Sequence, residues 1–439
     1  MISFRYWFRL ISTIFVRFKT GIVFGIIIGL LMFAFARVLL PVVTSSVEYI
    51  GITGRYHTEE LPAAILSQVG EGLTNIEADG SVISGLAESW EALEDGRVWK
   101  FNLKKGLHWQ DGSEVNSSTI QYSFDDAKVA KPDDYTIVFE LASAFSPFPS
   151  VVSRPTFKRG LLGTGEWEVV DVSLSSGYVE SISLRNSLSE KKIYKFYPTE
   201  ERAKTAFKLG DVDKIEVVDP SPFDEWDTAE VKEEVNLKRF VGVFFNNDND
   251  MFRDNKPLRQ ALSYAIDKQV FGAPRALGPL SPDSWAFNSQ VKEYKFDIER
   301  SREILEEMPE ELRKDLNITL STSSNLLKVA EKIAEYWRSA GVNTNVSVVS
   351  ILPEDYQAFL AIYDIPDDPD QYSTWHSTQE QSNITSYQNP RVDKLLEDGR
   401  LQLDHEARKK IYLDFQRFLL EDAPVVFLYH PMKYTVVRK

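Results

Sequence analysis

Hydrophobic and polar positions change their rhythm about halfway along the chain. Before residue 240 alternation dominates: Val98–Leu103 (VWKFNL) and Tyr135–Leu141 (YTIVFEL) put every second residue on an apolar face, as half-buried strands do. Ala78-Asp79-Gly80 and Glu94-Asp95-Gly96 punctuate these runs as turns. Ser45–Tyr56 reads as a strand entering a loop. Gly165–Tyr197 is a second β-rich patch, with strands at Tyr178–Leu184 and Lys192–Phe196. Helices are predicted over Leu61–Val69, Thr119–Asp126 and Thr199–Leu209, the last opened by a Thr cap. After Arg239 a short, fully apolar strand, Val241–Phe245, ends in Asn246-Asn247, and helical spacing takes over. Helices are expected at Pro257–Lys268, Ile298–Glu307, Leu326–Ala340, Asn389–Leu403 and His405–Leu420. The strands Asn317–Ser321 and Asn345–Val349 flank one of them, which suggests a parallel α/β unit. The change of rhythm near residue 240 is the natural lobe boundary, and no internal repeat is present.

The first 43 residues follow another pattern. They contain no acid and five bases: Arg5, Arg9, Arg17, Lys19 and Arg37. Thr20–Val43 is apolar apart from Arg37 and long enough to cross a hydrocarbon core of roughly 30 Å at 1.5 Å per residue. The preceding bases put the N-terminus in the cytoplasm and the acidic bulk of the chain outside it. The expectation is an anchor at 20–43 preceded by a cytoplasmic basic stretch, 1–19. The same residues admit a cleaved signal peptide, because Ala34-Phe35-Ala36 has the small-x-small pattern of a cleavage site.

Composition narrows the chemistry. The chain has 439 residues and a net charge of −15, which opposes a nucleic-acid partner. With no cysteine there is no disulfide scaffold, thiolate metal site or cysteine nucleophile. Of the five histidines (His57, His108, His376, His405 and His430) no two stand at i, i+4, and no cofactor or metal site is expected. The run Gly160–Gly165 (GLLGTG) lacks the following Lys-Ser/Thr of a phosphate loop and reads as a turn. The densest chemistry is an acidic loop, Asp364, Asp367, Asp368 and Asp370, followed at once by the aromatic run Tyr372–Ser377 with Trp375 and His376. Such a loop suits ligand recognition, a solvated surface or paired-carboxylate catalysis.

An ordered set of motifs resembles the extracellular solute-binding proteins of family 5, the oligopeptide-, dipeptide- and nickel-binding components of ABC importers. It begins with EGLTNIEADGSVISGLAESWEALEDGRVWKFNLKKGLHWQDGSEV (Glu71–Val115) and continues with YSF at Tyr122 and GTGEWEVV at Gly163. FYPTEERAKTAFKLGDVD (from Phe196), FFNNDNDMFRDNKPLRQALSYAIDKQ (from Phe244) and GPLSPDSWAFN (from Gly278) follow in the family's order. The DPDQYSTWHS block, YQNPRVDKLLEDGR (from Tyr387) and EDAPVVFLYHP (from Glu421) complete it.

The resemblance implies an α/β, two-lobe periplasmic-binding-protein-like clamp of type II, in the large cluster whose extra subdomain is trimmed here. It also implies a non-enzymatic receptor that captures short peptides in a cleft and docks, as a monomer, on ABC permease subunits. A metal chelate or a sugar is the alternative solute, and a sensor or chaperone derivative the alternative role. The expected organisation is lobe 1 at 44–240 with a β-rich subdomain at about 75–155, lobe 2 at 241–414, and a return segment at 415–439 that includes Val425–Tyr429. The family's ammonium-binding Asp maps to Asp364 or Asp367, with Asp370, Trp375, His376, Trp285 and Asn246 as further pocket candidates. Asp368-Pro369-Asp370 is equally readable as a turn that shapes the loop.

Overall fold

The computed structural model describes residues 46–439 apart from Asp315, with isolated positions between 17 and 29. The expected anchor at 20–43 and the basic stretch before it fall almost wholly outside the described residues. Among those residues no helix is long and apolar enough to cross a membrane. The described residues from 46 onward pack as two compact units, one made of 46–60 with 166–215, the other of 61–165 with 216–439.

In the first unit the strand Val47–Thr53 pairs in parallel with Lys191–Tyr197 on one side and with Lys214–Val217 on the other. Tyr178–Arg185 and Glu168–Ser175 extend the sheet antiparallel beyond Lys191–Tyr197. The helix Glu200–Leu209 makes the crossover between the two flanking parallel strands. Thr199 caps it by accepting a hydrogen bond from the Arg202 N–H, and Gly210 ends it at φ +82°, a conformation glycine adopts without strain. Ala203, Ala206 and Phe207 form its buried face.

In the second unit a four-stranded antiparallel sheet contains Ala87–Leu93, Val98–Leu103, Ala127–Asp133 and Thr136–Leu141. Its core gathers Trp99, Phe101, Trp109, Phe139 and Phe148. Thr119–Asp126 is not the expected helix. Ile120, Tyr122 and Phe124 recur every second residue, so the segment runs irregularly into that core, with the Tyr122 and Phe124 rings stacked 5.8 Å apart.

A five-stranded sheet organises the rest of the unit. Arg239–Phe245 lies between Ala358–Asp364 and Val425–Tyr429, antiparallel to both. Asn317–Thr322 pairs in parallel with Ala358–Asp364 and with Asn343–Val348, the parallel unit expected. Val241, Val243 and Phe245 point into one core, under Lys256–Tyr264, Ile298–Glu307 and Leu327–Ser339. Phe240 and Phe244 point into the opposite one, under Pro390–Leu401 and His405–Asp422. A strand covered on both faces has no polar side, so its sequence is uniformly apolar.

Two expectations need correcting here, and one strand is new. The helix predicted to run to Lys268 stops at Tyr264 and is followed by a short 3₁₀ turn, Lys268–Phe271. The strand Ala358–Asp364 was not anticipated. Val425–Tyr429, expected to leave for the first lobe, is still part of this sheet. The chain leaves it at His430-Pro431, and Met432–Arg438 then pairs antiparallel with Ala229–Val235. Two segments, 235–239 and 429–432, therefore pass side by side between that strand pair and the five-stranded sheet, tied where Asn236 N–H donates to the Pro431 carbonyl at 2.9 Å.

Candidate functional site

Where the β-rich part of the second unit meets the loops of the five-stranded sheet there is a cavity of about 300 Å³. Its walls come from five places: the Ala78-Asp79-Gly80 turn, the crossing segment 234–238, the Ser281–Ser284 loop, the loop Ile365–Asp367 and Lys433 on the strand Met432–Arg438. The turn is braced from inside, since Asp79 accepts hydrogen bonds from the Ser81 N–H (2.8 Å) and hydroxyl (2.9 Å). It docks through the Asp79 carbonyl, which accepts from the Trp285 N–H at 2.9 Å. Gly80 is required twice over: its φ is +85°, and a Cβ there would lie 2.4 Å from the Asp367 carbonyl oxygen.

Four carboxylates (Asp79, Glu234, Asp283 and Asp367) face two ammonium groups (Lys238 and Lys433) around the cavity. Lys238 reaches Asp367 at 2.5 Å and Lys433 reaches Glu234 at 3.4 Å. Both partners of the Lys238–Asp367 pair are well exposed, so the contact contributes little to stability and yields readily to a better partner. An acidic excess with one loosely held carboxylate suits a cationic ligand group. Among the described residues no three His, Asp or Glu side chains gather to hold a metal ion.

Of the residues singled out from the sequence, Asp367 lines this cavity. Asp364 ends its strand with a carboxylate that is 76% exposed and bonded to Arg239 Nε at 2.5 Å. The other two acids of the loop are committed to its own shape. Asp368 takes both arms of the Arg408 guanidinium at 2.6 and 3.0 Å, and Asp370 accepts from Arg400 at 2.9 Å. Burial lowers the Arg408 proton affinity, but the Asp368 carboxylate more than offsets this and raises it overall. Burial, the largest influence on Asp370, pushes its carboxyl up against the pull of Arg400.

The aromatic candidates sit away from the cavity wall. Trp375 is buried in the helical core with its indole N–H on Gln371 at 2.9 Å. His376 is buried too, stacked on Tyr372 at 4.0 Å, with Nδ1 2.9 Å from the Thr378 hydroxyl. Trp285 stands behind the Ser281–Ser284 loop, its ring 4.2 Å from that of His405. Asn246 shapes a turn, donating to the Tyr356 carbonyl at 2.8 Å and accepting from the Asp248 N–H. Sequence reasoning missed Asp79, Glu234, Lys238, Asp283 and Lys433. Asp79-Gly80 was visible only as a turn and Asp283 only inside the SPDSW motif, while nothing distinguished the two lysines.

Comparison with known proteins follows this geometry. Residues 81–383 match the model of the bacterial extracellular solute-binding proteins, family 5 Middle. The oligopeptide-binding protein AppA of Bacillus subtilis is 23% identical over 458 residues, covering 86% of this chain and 83% of its own. The dipeptide-binding protein of Escherichia coli is 23% identical over 445 residues, 82% of each chain. Among solved structures, the ABC transporter substrate binding protein CtaP from Listeria monocytogenes superposes with a TM-score of 0.74 at 20% identity, covering 90% of this chain and 94% of its own. NikZ from Campylobacter jejuni, in complex with Ni(L-His), gives 0.72 at 23% identity with the same coverage. The chain thus shares the α/β fold of periplasmic binding proteins.

Proposed function

We propose a function from one premise: this chain belongs to the bacterial extracellular solute-binding proteins, family 5. It captures short peptides outside the cytoplasm and hands them to the permease of an ABC importer, held at the membrane by residues 20–43. Its work is binding, not catalysis. The observation that carries the peptide reading is the cavity of about 300 Å³ with its acidic excess. That volume is at the low end of the roughly 300–1,000 Å³ of small-molecule sites, which favours short ligands. A peptide's α-ammonium would displace Lys238 from Asp367, or Arg239 from Asp364, and gain a carboxylate partner. The names of AppA and of the dipeptide-binding protein from E. coli support the same ligand class.

The test is a thermal-shift and calorimetric titration of the full chain with di- to tetrapeptides, each with a free and with an acetylated N-terminus. Free peptides should raise the melting temperature and acetylated ones should not. Inside a closed cleft the ammonium–carboxylate pair is buried, so replacing the anchoring carboxylate, Asp367→Ala or Asp364→Ala, should cost about 3–5 kcal/mol of binding, as for a broken buried pair. A loss under about 0.5 kcal/mol in both variants, within the range of an exposed pair, would remove the anchor assignment. No shift at millimolar peptide would remove the peptide reading. A nickel–histidine chelate that bound instead would keep the receptor role and change the solute.

A further inference from the structure

The first unit holds a second cavity, of about 640 Å³, with the opposite electrostatic character. It opens at the C-terminal ends of the parallel strands Val47–Thr53 and Lys191–Tyr197, which are joined there by the Gly54 N–H donating to the Tyr197 carbonyl at 2.7 Å. Next to them the sheet changes direction, because Tyr178–Arg185 runs antiparallel to Lys191–Tyr197. In open α/β sheets ligands bind in crevices outside the carboxyl ends of the parallel strands.

Three cations line this cavity: Arg55 just past the first strand, Lys195 on the second and Arg202 in the first turn of the following helix. Among the described residues none of the three meets an acidic side chain. Arg55 lies 5.7 Å from the Tyr178 ring centroid, whose ring also stacks on His57 at 4.5 Å. Lys195 donates to the Asp211 backbone carbonyl at 3.1 Å and lies over Tyr49. The acids nearest Arg202 along its own helix, Glu200 and Glu201, turn to Lys204 instead, at 3.1 and 3.5 Å. The single carboxylate in the wall, Glu180, accepts from Ser173 at 3.3 Å. Acids outnumber bases 65 to 50 in this chain, so three cations against one carboxylate in the wall of a cavity are a local reversal of its charge. Their mutual repulsion is relieved by an anion held between them.

We propose that this cavity binds a phosphate-class anion, with its oxygens between the Arg55 and Arg202 guanidinium groups and Lys195, and its organic part along Tyr178. Two arginine forks match the geometry of phosphoryl oxygens. The site lies in a different unit from the peptide cavity, so either assignment can fail without the other. The anion has two sources, a soluble phosphate monoester or a phospholipid headgroup, and the experiment separates them.

The full chain in neutral detergent is titrated calorimetrically with inorganic phosphate, glycerol 3-phosphate and the short-chain lipid dihexanoyl phosphatidylglycerol. Binding that weakens with added salt is expected for at least one probe. Arg55→Gln and Arg202→Gln should each weaken it about tenfold, the loss of one charge-assisted hydrogen bond. Both side chains are exposed, so the variants should keep the wild-type melting temperature. Glu180→Gln should tighten binding, a change of sign that damage to the fold does not produce. Preference for glycerol 3-phosphate supports a soluble source, and preference for the lipid supports a headgroup. No binding of any probe, or binding unchanged in the double arginine variant, overturns the site.

Discussion

Two neighbouring carboxylates in one loop carry opposite expectations. Asp368 is buried against Arg408 through two hydrogen bonds, so Asp368→Ala strands a buried guanidinium and should cost about 3–5 kcal/mol of stability. Asp367 pairs with an exposed lysine, so Asp367→Ala should cost about 1 kcal/mol or less. Urea unfolding of both variants checks this, and equal losses would contradict the assignment of roles.

His430 is a second residue with a definite sign. It is buried, its Nδ1 lies 2.7 Å from the Arg239 carbonyl, and its Nε2 has no partner among the described residues. The bonded carbonyl only accepts, so Nδ1 carries the proton. Burial holds the imidazolium form down, with Arg275 adding to the effect and with the Arg239 carbonyl and Asp283 opposing it. The unfolded chain therefore binds the proton more tightly than the folded one. The stability His430 contributes is complete above its unfolded pKa of about 6.5 and falls as pH drops from there toward the lower folded value. His430→Asn keeps a donor for Arg239 and should flatten unfolding free energies measured between pH 7.5 and 5; an unchanged slope would place the titration elsewhere.

Among the elements, the contact between the β-rich sheet and the helical layer is made by turns and helix ends. The Ser146 N–H and hydroxyl donate to the Arg400 and Gly399 carbonyls (2.7 and 3.1 Å), helping to close the C-terminal end of Pro390–Leu401 from another part of the chain. Gly80 makes the companion contact against Asp367. Gly80→Ala meets that carbonyl and the left-handed backbone cost together, whereas Gly112→Ala, at φ +78° with open space around it, meets only the backbone cost of about 1–2 kcal/mol. The Gly80 variant should be the less stable and should also lose peptide affinity. Matching melting curves would show that the turn does not seat as described.

What could be read beforehand follows from which forces are local. Ile298–Glu307 and the cap at Thr199 are written in spacing and capping chemistry, and they were recovered. Arg239–Phe245 announced itself because burial on both faces leaves a solid apolar run. Ala358–Asp364 has a similar run, AFLAIY, that ends directly in the acidic loop. Thr119–Asp126 differs from the helix its sequence suggests because Ile120, Tyr122 and Phe124 alternate into the core instead of falling at helical spacing. Within the acidic loop, four aspartates look alike in sequence. Arg408 and Arg400, which claim two of them, stand 40 and 30 residues away along the chain.

For the whole molecule, location is the first question. If residues 20–43 anchor the chain, it should stay with membranes through an alkaline carbonate wash, while a form beginning at residue 44 should be released. Recovery of the full chain in the soluble fraction would argue for cleavage or for another means of attachment. An anchored receptor delivers by swinging on its tether rather than by diffusing, which raises its effective concentration at a permease in the same bilayer.

The paired passage at 235–239 and 429–432 also has a mechanical reading. A lone connecting strand is a swivel, free to twist about its own axis as well as to flex. Two strands pinned together, by Asn236 to Pro431 and by Arg239 to His430, make a strap, which bends easily across its flat face and resists torsion. Motion across a strap has nearly one degree of freedom. Any movement of the walls across it would follow one repeatable path and return Lys238 to the same carboxylate.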